Sequence, residues 1–141
     1  MKYLLDTNVI SELRKKACNL AVKNTIEKIE PSDLYLSVIS IGEIEMGVRK
    51  LAEPQKKLEI SLWLHNKLPL WFSDRIIPIN FDIMVTWGKL CAENKRTLPV
   101  IDSLIAATAI TYKATLLTRN TKDFEDIREL DLINPWNLNL P

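Results

Sequence analysis

KYLLDTNVISELRK, residues 2–15, changes its period in the middle. Tyr3, Leu4 and Leu5 make a short apolar run that reads as a buried strand. From Thr7 onward Val9, Ile10 and Leu13 return at helical spacing and face inward. Asp6 stands at the handover from strand to helix. The same handover recurs along the chain. Residues 20–30 carry Leu20, Val22, Ile26 and Ile29 as a helix stopped by Pro31. LYLSVI (34–39) is the next strand, and Ser40 starts a helix with Ile41, Ile44, Val48 and Leu51 on one face. Residues 55–73, with Leu58, Leu62, Trp63, Trp71 and Phe72, form a long amphipathic helix or a helical pair broken at Pro69. RIIPI (75–79) is a strand. Residues 81–95 form a helix with Ile83, Trp87, Leu90 and Cys91 inward. Pro99 breaks the chain and a helix starts at Asp102. ATLLT (114–118) and LDLIN (130–134) are the last strands. Strands alternating with helices predict an α/β fold, a parallel sheet of about five strands with helices on both faces, in one domain spanning 1–141.

Composition removes several function classes. The chain has 141 residues, 47% hydrophobic and 26% charged, the profile of a globular protein with a real core. Three glycines are too few for a Gly-rich phosphate loop. The single histidine, His65, leaves no raw material for histidine acid–base pairs or HExxH zinc sites, and it reads as an exposed helix residue. The formal net charge of +1 does not advertise nucleic-acid binding, so any such contact is local. Cys18 and Cys91 have no metal-ligand spacing and read as free thiols of a cytoplasmic protein. Neither a signal peptide nor a membrane span is expected.

Four acids remain: Asp6, Glu43, Asp102 and Asp123. Each sits where a strand hands over to a helix or one turn inside a helix. In parallel sheets such junctions gather beyond the carboxyl ends of the strands, where ligands bind. Each acid also has a plain explanation. Asp6 and Asp102 suit N-caps, Ser40 with Glu43 fits a capping box, and Asp123 suits the dipole of a short helix after Thr121. Taken together, four carboxylates within ~8 Å would repel one another unless cations lay between them. Mg²⁺ takes oxygen ligands and keeps several waters. A pair of such ions clamps the two oxygens of a phosphoryl displacement and makes hydroxide available near neutral pH without a histidine. Thr7, Ser103 and Thr118 lie beside the acids, where hydroxyls orient carboxylates or cap helix ends.

Five segments resemble one family. LLDTNVISEL (4–13), SVISIGEIEMGVRKL (37–51), LPVIDSLIAATAI (98–110), LLTRNTKDFE (116–125) and LINPWN (132–137) are similar, in this order, to the PIN-domain toxins of the FitB/VapC branch of type II toxin–antitoxin systems. The resemblance implies a PIN-like three-layer α/β/α sandwich. It implies that Asp6, Glu43 and Asp102 are the core metal-binding and catalytic acids, with Asp123 the fourth and more variable one. It assigns Asn8 and Asn120 to ordering the site. The implied activity is Mg²⁺- or Mn²⁺-dependent endoribonuclease cleavage of transfer or ribosomal RNA. The implied partners are a second copy of the chain and a cognate antitoxin, in a heterotetramer or larger assembly that meets operator DNA through the antitoxin. Segment 54–82 carries no family motif.

Arg49, Lys50, Arg96 and Arg119 are candidate contacts to RNA phosphates or to an acidic antitoxin segment. Trp63, Trp71 and Phe72 suit either an antitoxin groove or the core. Two rival functions stay open on the sequence. One is an antitoxin-binding co-repressor with weak or no nuclease activity. The other is a phosphotransferase using Asp6 as nucleophile, which the missing second Asp and the missing cap domain disfavour.

Overall fold

The computed structural model describes residues 1–137; the last four positions of the expected domain lie outside them. The chain runs β1 (Lys2–Leu5), α1 (Thr7–Arg14), α2 (Leu20–Glu27), β2 (Leu34–Ser37), α3 (Val38–Arg49), α4 (Pro54–Leu62), α5 (Leu68–Phe72), β3 (Ile76–Ile77), α6 (Phe81–Glu93), α7 (Val100–Thr111), β4 (Ala114–Leu117) and β5 (Leu132–Ile133). The strands form one parallel sheet in the order β3-β2-β1-β4-β5.

Strand alternation builds the layers. Successive side chains of a strand point to opposite faces. Leu4 and Leu116 therefore enter one core with Ile83, Leu90, Ile105 and Phe124. Leu5 and Leu117 enter the other with Val9, Ile10, Ile44, Leu68 and Phe72. The helices α6 and α7 cover the first face and α1 to α5 the second, an α/β/α sandwich. Ala106, Ala107 and Ala109, all fully buried, let α7 approach the sheet closely.

Several boundaries differ from the sequence reading, for local reasons. β2 ends at Ser37, whose hydroxyl accepts from Ile39 N at 3.0 Å and caps α3. The helix thus begins before Ser40, and the expected capping box of Ser40 with Glu43 does not form. α7 starts at Val100 behind Pro99, so Asp102 lies in its first turn and is not its N-cap. Leu20 opens α2 with its side chain in solvent. The expected strands at 75–79 and 130–134 shrink to two residues each, since only those reach a neighbouring strand.

Pro69 does not split the helical pair. It has no N–H, and in a regular helix its ring would meet a carbonyl one turn back. The chain widens instead into a π-helical turn over Trp63–Lys67, with Leu68 N–H bonded to Trp63 O. Arg75 then ties this hairpin down, donating to Pro31 O and Leu34 O at 2.6 Å and to Trp71 O at 2.8 Å. Phe72 is fully buried, which places it in the core and outside any groove. Among the described residues no helix is long and apolar enough to cross a membrane. Cys18 and Cys91 are free.

Candidate metal centre

The strand order reverses between β1 and β4, and at such a switch point adjacent loops leave in opposite directions and open a crevice. Leu5 pairs with Leu117 at its floor. The next residues, Asp6 and Thr118, therefore meet. Asp6 N donates to Leu117 O at 2.9 Å, and the Thr118 hydroxyl donates to Asp6 Oδ2 at 2.8 Å.

Asp6 is only 7% exposed. Its carboxylate caps α1 by accepting from Thr7 N at 2.8 Å, and Asn8 Nδ2 lies 3.4 Å from Oδ2. Burial raises its carboxyl above the ordinary aspartate value. The bonds from Thr118, Thr7 and Asn8 oppose that rise, and the charge of Asp123 adds to it. Asp6 thus caps α1 with one oxygen and presents the other to Thr118.

Thr7 joins Asp6 to Glu43. Its Oγ1 lies 2.6 Å from Glu43 Oε1 and 2.8 Å from Ser40 Oγ. A carboxylate only accepts, so the Thr7 hydroxyl donates to Glu43 and the Ser40 hydroxyl donates to Thr7. Ser40 and Glu43 are three residues apart on α3 and share a face. That spacing was read as a cap; it serves this hydroxyl chain. Burial raises the Glu43 carboxyl, the Thr7 bond lowers it, and the charges of Asp6 and Asp102 raise it further.

Asp102 is half-buried in the first turn of α7. Burial raises its carboxyl, Asp6 and Asp123 raise it more, and Arg96 lowers it. Asp123 is exposed in the single helical turn Thr121–Asp123 after β4, at the rim. Asp6 and Asp102 thus each feel the charge of Asp123, and Glu43 feels Asp6 and Asp102. Among the described residues they do not close into a compact cage of three or more His, Cys, Asp or Glu ligands.

The neighbouring polar residues divide. Asn8 accepts from Arg119 N at 3.2 Å and so bridges the loops after β1 and β4. Asn120 N donates to Thr118 Oγ1 at 3.1 Å, fixing that hydroxyl toward Asp6. Ser103 departs from expectation. Its hydroxyl donates to Val100 O at 2.8 Å and accepts from Trp87 Nε1 at 2.9 Å, so it locks α7 to α6 and touches no carboxylate.

The arginines divide too. Arg49 is spent on Glu45, one turn away on α3, at 2.9 Å. Arg96 grips Asp126 with two bonds, Nε to Oδ2 at 2.5 Å and Nη2 to Oδ1 at 2.9 Å, and also donates to Asp123 O at 2.6 Å. It is a clamp on the Asp123 turn. Its partner Asp126 was not singled out from the sequence, where it is one more acid in TKDFED. Arg119 lies with its guanidinium 5.0 Å from the Trp136 ring centroid. Trp63 lines a cleft of about 260 Å³ that runs from Thr7 and Glu43 along α3 to Lys56 and Ile60.

Comparison with known proteins adds a family and relatives. The PIN domain family matches residues 3–130. The VapC ribonuclease Y4jK of Sinorhizobium fredii is 34% identical over 94% of this chain and 96% of its own length. Toxin FitB of Neisseria gonorrhoeae is 31% identical over 95% and 98%. A solved structure of FitAB bound to an IR36 DNA fragment superposes with a TM-score of 0.85 at 29% identity, covering 98% of each chain.

Proposed function

The chain belongs to the PIN domain family, and on that premise we propose that it is the toxin of a type II toxin–antitoxin system, an endoribonuclease that hydrolyses RNA phosphodiester bonds. Asp6, Glu43, Asp102 and Asp123 would hold Mg²⁺ or Mn²⁺. One observation carries this reading: three carboxylates at a sheet switch point, each raised by burial and by its neighbours' charge, with Thr7 hydrogen-bonded to two of them.

The donor set fits such a cation. It is all oxygen, and its open arrangement suits an ion held by few carboxylates that retains its waters. When bound, the cation neutralises charge on the scissile phosphate and lowers the pKa of the attacking water. The protein's own part is placement. Thr118, Thr7 and Asn8 fix the rotamer of Asp6 and favour its charged form. Thr7 aims Glu43, and Arg96 holds the Asp123 turn beside Asp102. A site built on strand ends and helix starts is rigid, which phosphoryl chemistry rewards because positioning is most of the catalysis.

The partners follow from the same premise. An antitoxin segment would occupy the cleft ending at Trp63, and operator DNA would be met through that antitoxin. Transfer or ribosomal RNA is the proposed target, the whole 141-residue chain the domain, a homodimer the working unit and the cytoplasm the compartment. The ribonuclease name of a relative aligned over nearly its whole length favours this reading over a co-repressor without nuclease activity.

Purified protein incubated with total RNA tests the proposal. Discrete cuts are expected with Mg²⁺ or Mn²⁺, none in EDTA, and recovery when either ion is restored. Cutting that persists in EDTA would sink the role given to the acids. Arg96→Ala is expected to cost about 10- to 100-fold in cleavage, because it frees the Asp123 turn but leaves Asp6 and Glu43 in place. Arg96→Lys restores the charge without the two-pronged grip and should recover only part. Full recovery would mean that charge, and not the clamp, is what matters.

A further inference from the structure

Of the three candidate arginines, two are spent on carboxylates, Arg49 on Glu45 and Arg96 on Asp126. Arg119 is different. Among the described residues its guanidinium N–H groups have no hydrogen-bond or salt-bridge partner, and its side chain is in solvent. Its backbone, in contrast, is fixed on both sides. Its N–H donates to Asn8 Oδ1 at 3.2 Å, and its carbonyl accepts from Asn134 Nδ2 at 3.3 Å. The side-chain oxygen of Asn134 accepts from Trp136 N at 2.9 Å, so one asparagine sets both the arginine and the indole beneath it. Trp136 packs on the sheet's second core, which leaves one ring face to Arg119.

The location gives this pair its meaning. Arg119 follows Thr118, whose hydroxyl bonds Asp6, and Asn8 joins Arg119 to the same carboxylate. We propose that Arg119, seated on Trp136, is a nucleotide-binding subsite at the edge of the metal centre, where an unpaired RNA base stacks on the outer face of the guanidinium. The proposal rests on the ribonuclease reading and adds the substrate feature that reading leaves open, a single-stranded nucleotide beside the cut. Unstacked bases are commonly held on aromatic rings and on arginine planes. A guanidinium already held over an indole, 5.0 Å from its centroid, loses little freedom when a base covers it. A phosphate contact would not need the plane, and it would be made equally to an oligomer without bases.

Fluorescence anisotropy of a short labelled oligoadenylate, beside an abasic oligomer of equal length, separates the possibilities. EDTA prevents cleavage, and a parallel series contains Mn²⁺. Arg119→Lys should bind oligoadenylate about tenfold more weakly than the parent, the size of one lost base stack, and bind the abasic oligomer as the parent does. Arg119→Ala should weaken both. Equal binding of oligoadenylate by parent and Arg119→Lys overturns the subsite, as does an equal loss on both oligomers in Arg119→Lys. Unchanged RNA binding with lost affinity for the antitoxin also overturns it and gives Arg119 to the protein partner. Failure of the parent to bind either oligomer in both series overturns the subsite, while the ribonuclease reading stands or falls on the cleavage of total RNA.

Discussion

Asp102→Asn will stay folded and, in EDTA, melt at or above the parent, while RNA cleavage falls by about 10³-fold or more. The two effects have one cause. Burial and the charges of Asp6 and Asp123 raise the Asp102 carboxyl, and among the described residues no side chain or backbone N–H donates to it. A carboxyl whose pKa is raised on folding contributes stability below its unfolded value, and that contribution is lost as pH rises through the folded value. At neutral pH the metal-free protein therefore carries an unfavourable charge, and the isosteric amide removes it. The same amide removes the proposed metal ligand, worth several kcal/mol of transition-state stabilisation, which at 1.36 kcal/mol per tenfold gives the expected loss in rate. Melting curves with and without Mn²⁺ check both halves. The parent should be stabilised by the ion and Asp102→Asn much less. The parent's EDTA melting temperature should also rise on acidification relative to that of Asp102→Asn, since protonation relieves the charge that burial and Asp6 disfavour. A variant clearly less stable than the parent in EDTA would contradict a strained carboxylate cluster.

Phe124→Ala is expected to cost about 3–5 kcal/mol of stability, the usual range for emptying a phenylalanine site in a core. Phe124 is 1% exposed and packs with Leu4, Ile105 and Leu116 beneath the sheet. It directly follows Asp123, so the residue that anchors the first core also anchors the loop that carries the fourth acid. Denaturant unfolding measures the loss. Leu70→Ala, at a site 83% exposed, is the control and should change stability by less than about 0.5 kcal/mol. Comparable losses in the two variants would mean that Phe124 is not the anchor this packing makes it.

Much of the fold was legible because β1, β2 and β4 are short apolar runs bounded by helices of clear period. What the sequence hid was fine punctuation. Ser37 and Ser40 are both plausible caps, and only the length of β2 decides between them. Pro69 looks like a break because sequence patterns carry no sign of a π turn, which depends on where Leu68 and Phe72 pack. The four acids could be named from their place at strand ends and from family motifs. Their supporting cast could not. Ser103 beside Asp102 looks like a ligand-orienting hydroxyl until Trp87, sixteen residues earlier in the chain, takes it up. Arg96 and Asp126 meet across thirty residues, and Arg119 finds Trp136 through a loop that no periodicity describes.

The most direct test is induced expression of the chain in bacteria, parent beside Asp102→Asn, with sequencing of newly formed RNA 5′ ends. Growth arrest and cuts at discrete RNA positions are expected in the parent alone, with equal amounts of both proteins present. Arrest by both proteins with the same cuts, or arrest by the parent without any new RNA ends, would contradict a carboxylate-dependent ribonuclease.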